Sequence, residues 1–267
     1  MVAITREGPV TVFKMGRDSI AKTIRYFVHS FLFEDTLIDT GPFHVCGEFL
    51  PLLERYGVAR IINTHQHEDH SGNNGPIQDK FRVPLYAHPD ALPFLANPKE
   101  MNLNITQHIF WKLPEPSRGE PIGSTVRSAH HVLEVIHTPG HTRDHICLYE
   151  PENKLLFAGD LYCGMVKYFR EEEDYDQIIS SLRTVHKLDF HTMFCCLKGT
   201  VAEGRGAIKR KIDFMERLRE QALELQRMGV SSARIRKKLL GAEGAIYYAT
   251  RGKFSKQHVI DSALRTA

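Results

Sequence analysis

Between residues 64 and 74 the chain reads Thr-His-Gln-His-Glu-Asp-His-Ser-Gly-Asn-Asn, directly after the apolar pair Ile61-Ile62. His65, His67, Asp69 and His70 put four candidate metal ligands inside six residues. Imidazole nitrogens and a carboxylate are donors that suit zinc, iron or manganese. His65 and His67 project to the same side of an extended backbone, and the following turn brings Asp69 and His70 round beside them. Such a run requires a strand that ends here, a loop aimed at one point, and further ligands from elsewhere in the chain.

The 267 residues are 42% hydrophobic, enough to bury a substantial core, and one large domain with a small appendage is expected. The first residues hold no basic segment followed by an apolar one, and no stretch approaches the ~20 apolar residues of a membrane span. The expectation is a soluble cytoplasmic protein without a membrane partner. Cys46, Cys147, Cys163, Cys195 and Cys196 are odd in number, lack CxxC spacing and mostly sit in apolar runs, so they read as reduced, buried thiols.

Residues 10–14 and 26–41, rich in β-branched and aromatic residues around a Glu34-Asp35 turn, predict strands joined by a hairpin that ends at Asp39-Thr40-Gly41. Phe49, Leu52, Leu53 and Tyr56 predict a helix over 48–56, and 59–63 a strand that delivers the histidine cluster. Helices are expected over 76–81 and 90–95 around a strand at 85–88, the second helix capped by Asp90. Residues 97–124 read as irregular and Pro-rich around the single tryptophan, Trp111, as a substrate lid or as a loop packing its own aromatics.

Strands over 131–136, 146–149, 154–158 and 192–196 and a helix over 174–188 follow. After Arg205 the pattern is helical: 207–228, a Ser232-capped segment to Leu240 and a Ser255-capped one to Arg265. Strand ends thus present, in order, Asp39, the histidine cluster, His141, Asp160 and the Lys198 turn, and function concentrates at such ends.

Taken together, Asp39-Thr-Gly, His65-x-His67-x-Asp69-His70, His137-Thr-Pro-Gly-His141 and Gly159-Asp160 resemble the metallo-beta-lactamase superfamily over roughly residues 10 to 200. The resemblance implies an α/β fold, a four-layer αββα sandwich, here with a small C-terminal helical extension, and a site for one or two metals, Zn²⁺ foremost with iron or manganese as alternatives. It makes residues 1–204 the catalytic domain and 205–267 the extension. It also makes His65, His67 and His141 the first metal's ligands, Asp69 and His70 ligands of the second, Asp160 the bridge, and Asp39 a supporting residue behind them. Three neutral imidazoles leave a position where bound water has its pKa lowered to ~7, so hydroxide is available as nucleophile.

One departure stands out. The family's usual Gly-His-Gly turn after the last strand is replaced by Cys195-Cys196-Leu197-Lys198-Gly199. An ammonium cannot ligate a metal, so the second site is expected to be weak or empty unless Cys196 or a nearby group substitutes. Lys198 reads either as a stand-in for metal charge or as a solvated lysine. Tyr162 and Tyr168 follow Asp160 closely, as donors to a developing oxyanion or as packed aromatics.

From Arg205 on, fifteen Lys or Arg stand against six acids, net +9, which leaves the rest of the chain at −6 within an overall +3. The short helices resemble the extension of lactamase-beta-2-like proteins, some of which cut RNA. Docking of a basic layer on an acidic domain is favoured over nucleic-acid binding.

The function expected is a metallo-hydrolase that cleaves a thioester, lactone or other ester of a small-molecule substrate, with Asp69, Lys198 and Tyr162 as candidate catalytic groups. A phosphodiesterase or RNase of the same fold, and an iron-dependent oxidoreductase resembling the persulfide dioxygenases, are the alternatives. A homo-oligomer is compatible with all three.

Overall fold

The computed structural model describes residues 1–18, 25–165 and 167–265. One sheet has seven strands in chain order: β1 (Val2–Glu7), β2 (Val10–Asp18), β3 (Arg25–Phe33), β4 (Thr36–Ile38), β5 (Arg60–Ile62), β6 (Leu85–Ala87) and β7 (Gly119–Pro121). The second has six: β8 (Thr125–Arg127), β9 (Val132–His137), β10 (Ile146–Glu150), β11 (Leu155–Phe157), β12 (Thr192–Cys195) and β13 (Gly199–Val201).

Where the connection is tight the strands run antiparallel, as in the β3–β4 hairpin with Glu34 at φ +54°. Where a helix intervenes they run parallel, as parallel pairing needs a crossover. The crossovers carry α1 (Cys46–Leu53), α2 (Glu68–Ser71), α3 (Asn74–Phe81), α4 (Leu92–Ala96), α5 (Ile105–Phe110) and α6 (Tyr175–His186). The chain then closes with α7 (Gly204–Arg227), α8 (Ser232–Leu240), α9 (Ala245–Ala249) and α10 (Lys256–Leu264).

Three apolar clusters define the layers. Val12, Phe31, Phe33 and Ile62 of the first sheet meet Leu133, Ile146, Phe157 and Phe194 of the second between the sheets. Phe49 and Leu53 of α1, Ile77 of α3 and Leu95 of α4 cover the first sheet's outer face. Ile178 and Leu182 of α6, with Ile208, Ile212 and Met215 of α7 and Ile260 of α10, cover the second. This is the expected four-layer α/β sandwich. The C-terminal helices share their apolar cluster with the second sheet and α6.

Some boundaries differ from the sequence reading. The 97–124 stretch holds α5, started by a capping box in which Asn104 and Gln107 satisfy each other's backbone N–H, and the edge strand β7. Six residues are too few to show a helical period, so the cap is the only local sign. In place of one Asp90-capped helix there is a 3-10 turn over Pro89–Ala91 and then α4, because the His88 ring accepts from Asp90 N. The residue before α8 is Ser231, not Ser232. Ser255 caps α10 as expected, accepting from Gln257 N. All five cysteines are free, four of them buried and Cys46 partly exposed. No helix among the described residues is long and apolar enough to cross a membrane.

Candidate metal centre

Strand β5 ends at Ile62, and the following loop is clamped by buried side chains. Asp39, at φ +58° beyond β4, accepts from the N–H and hydroxyl of Thr64, both at 2.8 Å. Asn63 and Asn74 are joined through Asn74 Nδ2 donating to Asn63 Oδ1 at 2.6 Å, and Asn73 Nδ2 donates to the Thr40 carbonyl at 2.7 Å. Gly72 lies against the 41–43 backbone: a Cβ there would come within 2.4 Å of Phe43 N. The Ser-Gly-Asn-Asn tail of the motif is therefore what lets the loop fold back on the strand beside it.

The loop gathers the ring nitrogens. His67 Nδ1 lies 2.9 Å from His65 Nε2 and 3.1 Å from His141 Nε2, and the three rings are buried. A tetrahedral site with N–metal bonds of about 2.0–2.1 Å has nitrogen–nitrogen edges of roughly 3.3 Å, so the triad fits a divalent cation. His65, His70 and Asp160 form a second convergent group. There His70 Nε2 and Asp160 Oδ1 face each other at 3.5 Å, both buried and without a hydrogen-bond partner, as expected of atoms that await a cation. Asp160 Oδ2 is 3.6 Å from His141 Nε2, so this carboxylate stands between the two groups, where a bridge belongs.

Carboxylates behind the rings set their orientation. Asp39 Oδ2 lies 2.8 Å from His70 Nδ1, and Glu173 Oε2 lies 3.2 Å from His141 Nδ1, which leaves each Nε2 turned toward the centre. Burial holds His65 and His67 well below the usual imidazole range and thus neutral, the form that ligates. Burial pushes Asp69 up to about 6, with Glu68 and Asp160 adding to the effect and His70 opposing it.

Asp69 lies outside both convergent groups and lines the chamber beside them. Lys198 is exposed on the β12–β13 turn with its stem over Gly164. Cys196, on the same turn, is buried and close enough to His70 to interact electrostatically, so the turn sets a thiol rather than the lysine near the second group. Tyr162 packs against the outer apolar cluster with the Lys211 ammonium 5.9 Å from its ring centroid. Tyr168 lines the chamber instead.

Several contributors carried no sequence signal. His145 Nε2 accepts from Asp160 N at 3.0 Å while Thr138 bonds its other nitrogen; burial and the nearby His141 hold its pKa at about 3. Only its place four residues after His141 could have singled it out. Glu173 is one of four consecutive acids, indistinguishable in sequence from its neighbours. Arg170 is partly buried, with Nε enclosed and unpartnered, and sits among Glu68, Asp69, Glu172 and Glu173.

The centre opens into a chamber of about 60 Å³ walled by His141, Asp160, Asp69, Tyr26 and Arg170. Beside it lies a cavity of about 340 Å³ with Phe110, Trp111, Ile246 and Phe254 in its wall.

Residues 25–195 match the family model described as the metallo-beta-lactamase superfamily. An uncharacterised protein of Aquifex aeolicus is 35% identical over 48% of this chain and 59% of its own length. A hydroxyacylglutathione hydrolase of Rhizobium meliloti is 34% identical over 43% and 40%, so the chain spans about half the length of the curated relatives it matches. Among solved structures, a metallo-beta-lactamase family protein of Thermus thermophilus superposes with a TM-score of 0.68 at 17% identity, over 96% of this chain and 91% of that one. A beta-lactamase domain protein of Burkholderia ambifaria does so with 0.70 at 17%, over 96% and 86%. The sandwich, the ligand order along the chain and the family match agree, and the chain belongs to the metallo-beta-lactamase superfamily.

Proposed function

We propose that this protein is a metal-dependent hydrolase of a thioester or other ester bond. The observation that carries the reading is the convergence of His65 Nε2, His67 Nδ1 and His141 Nε2 beside Asp160, with His141 and Asp160 lining a chamber that shares Tyr26, Asp69, Arg170 and Phe254 with a ligand-sized cavity. A divalent cation held by the triad supplies, when bound, polarisation of the carbonyl and activation of water.

The remaining work falls to the chain. Asp39 and Glu173 lock the rings of His70 and His141. Asp160 and Asp69 orient the attacking water, and Asp69 takes its proton as the water oxygen bonds to the carbonyl carbon. The carbon–sulfur or carbon–oxygen bond then breaks, and that proton passes to the leaving thiolate or alkoxide, with no change of oxidation state. Arg170 is the cation in the wall shared by chamber and cavity, and it serves the developing oxyanion. Lys198, exposed on its turn, and Tyr162, packed on the outer cluster, are less well placed for that part.

A packing role for the basic extension is supported by its own contacts. Lys211 donates to the carbonyls of Leu161 and Tyr162, Arg219 pairs with Asp176, and Lys256 donates to the carbonyls of Leu240 and Ala242. Cations engaged in this way are withdrawn from a phosphate backbone.

Elemental analysis of the purified protein, followed by assays on a thioester, a lactone and a phosphodiester, tests the proposal. Zinc or manganese with thioester or ester turnover, both lost in His65→Ala, is the expected result. Iron with oxygen uptake, or turnover that survives His65→Ala, overturns it.

A further inference from the structure

In sequence, the Trp111 region reads as a lid or as a self-packed loop, and the C-terminal helices as a docked basic layer in preference to a nucleic-acid surface. The structure joins the two. Thr106 Oγ1 on α5 donates to the Ala249 carbonyl on α9 at 2.6 Å, and Lys253 Nζ donates to the Asn102 carbonyl at 3.0 Å. Between these elements lies the cavity of about 340 Å³, a size at the lower end of small-molecule sites.

Its character changes along its length. Phe110 and Trp111 come from the α5 side, and Ile246, Ala249 and Phe254 from the extension. The charged groups in its wall are Glu68, Asp69 and Arg170. Glu68 already accepts from Gln107 Nε2 at 2.6 Å. Asp69 and Arg170, with Tyr26 and Phe254, also wall the chamber that holds His141 and Asp160. The cavity is therefore lined mostly by apolar groups, with Asp69 and Arg170 where it meets the chamber.

We propose that this cavity is an acyl pocket, in which α5 and the C-terminal extension together hold the hydrocarbon part of a medium-chain acyl thioester or ester while its carbonyl lies in the chamber over His141 and Asp160. The assignment rests on the hydrolase reading above and gives it a substrate class. The Thr106–Ala249 and Lys253–Asn102 hydrogen bonds form the pocket in advance, so little ordering opposes binding. The extension is then a specificity element of the active site.

The test uses the metal-loaded full chain and thioesters of N-acetylcysteamine with acetyl, butanoyl, hexanoyl and octanoyl groups. Each buried methylene is worth about 0.8 kcal/mol, so kcat/KM should rise by about fourfold per methylene until the cavity is filled. Ala249→Phe should collapse the hexanoyl-to-acetyl ratio, and Ile246→Ala, which enlarges the cavity, should move the plateau to longer chains.

Trp111 is the only tryptophan and lines the cavity, so its fluorescence reports occupancy without turnover. The S-hexyl thioether of N-acetylcysteamine should perturb it, the S-methyl thioether should not, and the response should vanish in Ala249→Phe. Thioester turnover with a flat chain-length profile and silent fluorescence overturns the acyl pocket and leaves the hydrolase reading standing. A Trp111 response to the hexyl probe with no ester turnover at any length keeps the pocket and sinks the hydrolase reading.

Discussion

Asp39 Oδ2 lies 2.8 Å from Nδ1 of His70, and the same carboxylate accepts both Thr64 donors. One side chain at the end of β4 thereby fixes the loop after β5 and turns His70 Nε2 toward Asp160. Asp39→Asn keeps the volume but removes the charge behind the ring. Metal affinity at the second group should fall by about 10- to 100-fold, with the first retained. Titration of metal-free protein, read by calorimetry, would show one site weakened; two unchanged sites would refute the role.

Arg170 and Lys198 make opposite predictions. Arg170→Met removes the cation in the wall shared by chamber and cavity and should lower kcat by about 100-fold with KM little changed, the signature of a donor that acts on the transition state. Lys198→Ala, on an exposed turn, should stay within about twofold of the parent. A large loss in Lys198→Ala, measured on the same thioester, would return the lysine to the chemistry.

Lys211 reaches from α7 into the core, 8% exposed, and donates to the carbonyls of Leu161 and Tyr162 directly after Asp160. Burial lowers its pKa. Lys211→Met conserves length but strands two carbonyls, so a loss of about 2–3 kcal/mol in denaturant unfolding is expected. Asp160 should loosen with it, and bound metal should fall. Full metal content in a destabilised variant would separate the two roles.

Glu34, on the β3–β4 hairpin, has its carboxyl pulled down to about 2: burial opposes ionisation, but the N–H of His130 and the ring of His131 outweigh it. Because the folded value lies below the unfolded one, the stabilisation is full above about pH 4.5 and is lost as pH falls toward 2. Glu34→Gln should be less stable than the parent by about 2 kcal/mol at neutral pH, and the gap should close over that acid window. Melting curves at pH 7, 4 and 2.5 would measure it; a constant gap would exclude the carboxylate as its source.

The candidate metal ligands were legible because chemistry forces such groups into short spacings: His65, His67 and His70 stand within six residues after β5, and His141 and Asp160 each follow a strand and a Gly. The central strands and long helices were legible too, since β-branched alternation and the α6 and α7 stripes repeat over enough residues to show a period, whereas the edge segments β1, β7, β8 and β13 were not read as strands. What tertiary structure alone decided are contacts between residues far apart in the chain. Glu173 is one acid in a run of four until α6 sets it behind His141. Cys196 and Lys198 are near neighbours in sequence, and only the β12–β13 turn buries one and exposes the other. Thr106 and Ala249 stand 143 residues apart, and the cavity beneath them exists only because the extension packs across α5. Local spacing records which atoms can bind a metal, whereas the space left for a substrate is set by how separate elements pack, and no local pattern encodes that.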